Sequence, residues 1–316
     1  MTFKGEAAIR MEDGRLAVVV LPERGGKIAS IRDLRLNREL LWQYEGATYP
    51  EIDPIGSFSA ADSSGFDDMF PAILPGSYGS KPWPDLMIPD HGEAWRLPWS
   101  LLSATPAAAS LELQGRIFPY SLRKDLRLCA DCEGRPTLRI DYALENTGSS
   151  EFEWIWAAHP LFDMGPKGGF RLKLSEGVRA GELRLINAYD STALPGYGME
   201  YPFPEGAGIL PVDRLPPEDR PLALKYWFLQ PSCCVGAEMW TGDAEYHLQI
   251  AWDTQRLPYL GVWINGGGWA GQRNLALEPA SAPMDGFTQA RKAGFQLPRL
   301  QAGAVATWFF SIALPV

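Results

Sequence analysis

The sequence predicts an all-β protein, a large antiparallel β-sandwich or barrel with few short helices. Three observations carry this. Apolar residues recur with period two over most patterned stretches, 32 glycines and 27 prolines separate those stretches, and no strand-helix alternation of the βαβ kind is visible. No fixed-period repeat appears, which argues against a propeller.

The series opens with "RLAVVVLP" (15–22) and continues with "SLELQGRIF" (110–118). The clearest alternation is "TLRIDYALEN" (137–146). It puts Leu138, Ile140, Tyr142 and Leu144 on one face and Arg139, Asp141 and Glu145 mostly on the other, as a half-buried strand requires. "SLRKDLRLCADC" precedes it across "EGRP", so the two stretches read as a hairpin. Further strands are expected in "GFRLKLS" (169–175), "YHLQIAW" (246–252), "YLGVWING" (259–266), "NLALEP" (274–279) and "AVATWFFSIAL" (304–314). Helical spacing is confined to "MDGFTQARKAG" (284–294), read as one short helix opened by Asp285 and closed by Gly294. The irregular stretches near 46–98 and 187–224 are longer than connectors need and are expected to build a binding face. No shift of composition marks a boundary, so one domain over residues 1–316 is expected.

Composition excludes several function classes. With 46% hydrophobic residues, including 12 Trp, 11 Tyr and 14 Phe, a large core is available and disorder is excluded. The net charge of -9 and pI near 5.0, with no Lys/Arg-rich block, disfavour nucleic acid. The start "MTFKGEAAIRMEDG" lacks an apolar leader, and no window reaches the roughly 18 apolar residues a membrane helix needs. A cytoplasmic protein without a membrane partner is expected. Oligomeric state leaves no signature in the sequence.

Four cysteines do not make a disulfide framework of the small secreted kind. Cys129 and Cys132 form a C-x-x-C and Cys233 and Cys234 are adjacent, so a four-thiolate site can be written down. However, "RLCADCEGRP" reads as a strand entering a turn, without the context of a redox motif. No metal and no cofactor is expected; there is no P-loop and no G-x-G-x-x-G.

Two proline-braced polar residues stand out. In "EFEWIWAAHP", an extended chain puts Phe152, Trp154, Trp156 and Ala158 on one face and His159 on the other beside the small Ala157. Pro160 holds His159 extended. In "RNLALEPAS", Glu278 lies opposite Leu275 and Leu277, next to Ala276, and Pro279 restrains it in the same way. A carboxylate so placed is unusual, because glutamate is seldom buried without a partner. "IPDHGEAWRLPW" adds His91 in a loop between Pro89 and Gly92, whereas His247 alternates as an ordinary strand residue. In "YLGVWINGGGWAGQR", Gly261, Trp263 and Asn265 share a face, so Trp263 is placed to stack on, and Asn265 to hydrogen-bond, a ligand in a small-molecule cleft. Taken alone, a His-Pro or Glu-Pro at a strand end is more often a satisfied edge residue, and Trp263 is as readily a core residue.

Taken in order, "GGKIASIRDL", "PDHGEAW", "ALENTGSSEFEWIWAAHPLF" and "LALEPAS" resemble the aldose 1-epimerase (galactose mutarotase) family over roughly residues 10–315. The resemblance implies a many-stranded β-sandwich with a sugar cleft across one sheet. It also implies an acid-base pair at His159 and Glu278, with His91 as the other site histidine. The chemistry agrees with that pair. Exchanging two anomers needs a proton delivered to the ring oxygen and another taken from the C1 hydroxyl. A histidine with an ordinary pKa near ~6.5 serves as imidazolium donor, and a tuned glutamate serves as base.

Two segments depart from the family pattern. The usual "N-R" pair is replaced by "GFDDMFP", which makes Asp67 or Asp68 the candidate contacts to sugar hydroxyls. The "HGFAR" of hexose-phosphate mutarotases is replaced by "HGEAW", which points to an unphosphorylated sugar. The sequence therefore reads as an aldose 1-epimerase-like isomerase, with a non-catalytic carbohydrate-binding or regulatory protein as the alternative. A metallohydrolase using His91 and His159 is disfavoured, since they lack paired ligand spacing.

Overall fold

A computed structural model describes residues 1–53, 56–179, 183–188, 212–242 and 246–316, so most of the stretch 187–224 lies outside the described residues. Two large antiparallel sheets dominate. In spatial order, one contains the strands Ser100–Thr105, Ala108–Gln114, Tyr120–Ala130, Pro136–Asn146, Val305–Ala313, His247–Trp252, Cys234–Trp240 and Gly169–Leu174. The other contains Leu185–Asn187, Ala223–Phe228, Tyr259–Gly266, Arg273–Ala280, Ala157–Pro160, Phe66–Met69, Lys27–Asp33, Leu16–Leu21 and Ile9–Glu12, with Arg38–Glu39 added beside Lys27–Asp33. The architecture is the expected sandwich rather than a barrel. Among the described residues no helix is long and apolar enough to cross a membrane.

The alternation read from the sequence becomes the packing between the sheets. Leu122, Leu126, Leu138, Ile140, Tyr142 and Leu144 are buried, and they form one continuous core with Val18, Val20, Ile264, Leu275 and Leu277 of the opposite sheet. Trp154 and Trp156 pack on Trp308 with ring centroids 5.2 Å apart in both cases, and Trp156 lies 4.8 Å from Tyr142. Such aromatic pairs are worth roughly 0.5–1.5 kcal/mol each beyond the area they bury. By facing this way, the tryptophans send His159 to the outer face of their sheet.

The hairpin forms where expected, Tyr120–Ala130 pairing with Pro136–Asn146. Its turn is held by Asp131, whose carboxylate accepts from the backbone N–H groups of Glu133 and Arg135 and from Arg135 Nε at 2.7 Å. The C-terminal helix is shorter than expected, Phe287–Lys292, and Gly286 is its N-cap. Asp285 does not open it, because its side chain is engaged elsewhere. The stretch 46–98 is not purely loop, for it supplies the strand Phe66–Met69 in the middle of a sheet.

The cysteines are all free thiols. Cys129 and Cys234 lie on strands four steps apart in one sheet, about 19 Å at ~4.8 Å per step, so the four thiols do not share a site.

Candidate active site

Strand register builds the site. Ala157 pairs with Ala280, and the bridge Phe162↔Leu275 keeps the same register, which sets His159 opposite Glu278. On its other side His159 pairs with Asp67, and Glu278 pairs with Gly261. One row therefore crosses the sheet: Asp67, His159, Glu278, Gly261, Trp227. The next row carries Ala276, Trp263 and Lys225. Gly261 makes room for the Trp227 ring packed over it, and a cavity of about 250 Å³ occupies this face beside Glu278. His159, Glu278, His91, Lys225, Trp263 and Asp285 all border it.

The expected acid-base pair is brought together. His159 Nε2 is 3.9 Å from Glu278 Oε1, and both side chains are almost wholly buried around the cavity. Among the described residues Glu278 Oε1 and His159 Nδ1 have no hydrogen-bond partner, so both carry unspent bonding capacity. Lys225 Nζ donates to Glu278 Oε2 and lies 3.7 Å from Asp285 Oδ1, which accepts from Trp227 Nε1 at 3.1 Å.

Electrostatics moves the two groups toward each other. Burial pushes the Glu278 carboxyl above the usual glutamate range, opposed by the Lys225 ammonium. Burial, with positive charge from His91, Lys225 and Lys27, holds His159 well below its ordinary value. His159 is therefore a neutral imidazole at neutral pH, not the imidazolium expected from its ordinary pKa.

His91 joins them from a loop. Its backbone has a φ of +57°, a left-handed conformation disfavoured for residues with a Cβ. Gly92 follows at φ +72°, where a Cβ would stand 2.0 Å from the Phe70 carbonyl oxygen, so the "HG" pair is required for the chain to turn here. Asp90 fixes the imidazole, its Oδ1 lying 2.8 Å from His91 Nδ1. Its other oxygen accepts from Phe58 N at 2.7 Å. Burial would raise the Asp90 carboxyl, but His91 and the Phe58 N–H hold it below the usual range. Phe58 stacks on His91 with centroids 4.4 Å apart and meets His159 edge-on at 5.3 Å.

The remaining expected contacts divide. Trp263 borders the cavity, its Nε1 donating to Asn274 Oδ1 at 2.9 Å. Asn265 shares its strand face but does not border the cavity. Its Oδ1 accepts from Gly267 N and Trp269 N and its Nδ2 donates to Trp269 O, so it shapes the glycine turn that delivers Trp269. Asp67 and Asp68 do not border it either. Adjacent residues on a strand face opposite ways. Asp67 accepts from Lys27, while Asp68 points into the core and accepts from Lys124 Nζ at 2.7 Å. Each puts one carboxylate oxygen on a buried lysine, Asp67 Oδ2 on Lys27 and Asp68 Oδ2 on Lys124.

"HGEAW" is likewise a clasp for the loop. Glu93 Oε1 accepts from Arg116 N, Ile117 N and Tyr120 Oη, and Trp95 Nε1 donates to the Asp90 carbonyl. Arg96 donates to that carbonyl and to Gly56 O, away from the cavity.

The sequence reading missed Lys225, Asp285, Phe58 and Trp269. Lys225 had a signal: in "ALKYWF" it is the single charge in an apolar run, on the same strand face as Trp227.

The fold is a mutarotase-like β-sandwich. Among solved structures, the chain is similar to the Slr1438 protein from Synechocystis sp. PCC 6803, with TM-score 0.72, 17% identity and coverage of 99% of this chain and 98% of that one. It is also similar to a galactose mutarotase-like protein from Lactobacillus casei ATCC 334, with TM-score 0.70, 15% identity and coverage of 98% and 100%. A GalM/aldose epimerase homologue from C. elegans has TM-score 0.60 and 11% identity, covering 98% of each chain. At these identities the likeness is one of fold. No protein-family model matches the chain, and no curated protein matches it in sequence.

Proposed function

We propose that the protein is an aldose 1-epimerase-like isomerase that interconverts the α and β anomers of an unphosphorylated hexose or related sugar. The single observation that carries this is His159 Nε2 standing 3.9 Å from Glu278 Oε1 over one cavity, each side chain with bonding capacity left over.

In ring opening, one group takes the O1 proton as the C1=O bond forms. The other gives a proton to O5 as the C1–O5 bond breaks. Rotation about C1–C2 and closure on the other face reverse both transfers, so each group serves once as donor and once as acceptor. The pair alternates between carboxylate with imidazolium and carboxylic acid with neutral imidazole. In water the imidazole is the stronger base by about 2 pKa units. Burial raises Glu278 and lowers His159, which narrows that gap and brings the two charge states closer in energy. A catalyst that must visit both benefits from that.

His91, fixed by Asp90, is assigned to the ring oxygen or a neighbouring hydroxyl, and Trp263 to the apolar face of the pyranose. No arginine among the described residues borders the cavity, which favours a substrate without phosphate. The test is NMR exchange spectroscopy on equilibrated anomers of a panel of aldoses and uronic acids. Accelerated exchange for at least one sugar is expected, and buffer rates throughout would remove the reading.

A non-catalytic sugar-binding protein is the second reading, favoured by the ion pair that ties up one oxygen of Glu278. Calorimetric binding of a sugar whose anomers exchange no faster would select it.

A further inference from the structure

We infer that Lys225 is a positioning residue for Glu278: it holds Oε2, leaves Oε1 alone to meet the substrate, and supplies the positive charge facing that carboxylate. The inference rests on the acid-base reading of the cleft and adds to it a residue that the paired proline motifs do not contain.

Geometry carries the argument. Lys225 lies one strand beyond the neighbour of Glu278, in the row of Trp263, and reaches diagonally over the sheet to Oε2. The diagonal crosses the strand Tyr259–Gly266 between Gly261 and Trp263, and a larger side chain at 261 would crowd it. The ammonium is itself placed by Asp285, 3.7 Å away, whose Oδ1 is pinned by Trp227 Nε1. Trp227 lies over Gly261, where a Cβ would meet the indole at 3.0 Å. A chain of contacts thus runs from Trp227 through Asp285 and Lys225 to Glu278, and its far end is the bare Oε1 beside His159.

The ionisable groups around Glu278 are Lys225 and Asp285 from the side of strand Ala223–Phe228, His159 from the neighbouring strand and His91 from the loop. Lys225 and His91 favour the carboxylate, Asp285 opposes it, and His159 is neutral. Lys225 and Asp285 therefore act on Glu278 with opposite signs, which a merely structural role would not reproduce.

The test is a 13C NMR titration of the Glu278 side-chain carboxyl, assigned by its loss in Glu278→Gln, alongside the pH–rate profile of anomer exchange. Lys225→Met is expected to move the Glu278 titration up by at least about one pKa unit. The acid limb of the rate profile should move up with it by the same amount. Asp285→Asn, which keeps the acceptor for Trp227, is expected to move the titration down, and it carries the test should Lys225→Met not fold. An unmoved Glu278 titration in whichever variants fold, or shifts in the same direction for both substitutions, overturns the inference. Opposite shifts without accelerated exchange in the wild type uphold the hold of Lys225 on Glu278 while removing the isomerase reading.

Discussion

Lys124 of one sheet donates to Asp68 of the other at 2.7 Å, inside the core of the sandwich. One residue earlier, Asp67 faces the opposite way and accepts from Lys27, which also lies 3.1 Å from Asp62. Two consecutive acids on a central strand are thus neutralised by two lysines from different elements. The ammonium of Lys124 lies 4.4 Å from the centroid of the Trp99 ring, which adds a cation–π contact to its ion pair.

Lys124→Met should therefore cost about 3–5 kcal/mol, because it strands a buried carboxylate, whereas Lys124→Met with Asp68→Leu should recover much of that loss. Urea denaturation measures both. If Asp68 touched sugar instead, Asp68→Asn would raise KM with little change in the unfolding midpoint. The buried pair predicts the reverse, a lower midpoint and an unchanged KM.

The proposed acid-base pair makes a different prediction. Glu278→Gln and His159→Asn should each lower the anomer-exchange rate by about 10²–10⁴, since each removes a proton-transfer partner, and the double variant should be little worse than either single one. Exchange rates on the most responsive sugar check this. Losses that multiply would show that the two groups do not share one proton cycle.

His159 and Glu278 were legible in the sequence because strand parity and a following proline are local properties. The nine strands named from alternation all form, and Trp154 and Trp156 face inward as parity required. Phe66–Met69 was not legible as a strand, because "FDDM" reads as polar chain until Lys27 and Lys124 arrive from distant elements. Asp285 was misread as a helix opener for the same kind of reason. A capping aspartate and a buried one look alike in sequence, and only the Trp227 indole and Lys225 ammonium distinguish them. Asn265 sits on the expected face, but the glycine turn after it takes up its amide.

Stability should depend on pH through Asp67 and His159 with opposite signs. Burial pushes Asp67 up to about 6, against an ordinary value near ~3.9, so in that window the folded chain keeps a proton the unfolded chain has lost. Its contribution is full below about 4 and is lost as pH rises through about 6. His159 titrates below its ordinary ~6.5, so the unfolded chain takes up a proton first, and stability falls as pH drops from about 6.5 toward the lower folded value. Urea midpoints from pH 4 to 8 should show Asp67→Asn gaining on the wild type as pH rises through 6, and His159→Gln gaining on it as pH falls below 6.5. Parallel curves for either variant would show that its parent group titrates normally.

The last prediction concerns Gly261, opposite Glu278 in the strand pairing and under the Trp227 ring. A methyl there meets three indole atoms at 3.0–3.2 Å, and Trp227 is fully buried, so the ring has little room to move away. Gly261→Ala should cost about 1–3 kcal/mol by overpacking. It should also lower kcat, because displacing the indole releases Asp285 and with it the placement of Lys225. Adding Trp227→Phe relieves the crowding but supplies no N–H for Asp285. The double variant is therefore expected to regain thermal stability and not activity, measured by calorimetry and anomer exchange on the same samples. Recovery of both would mean that the indole serves only as packing, and that the hydrogen bond to Asp285 plays no part in holding the site.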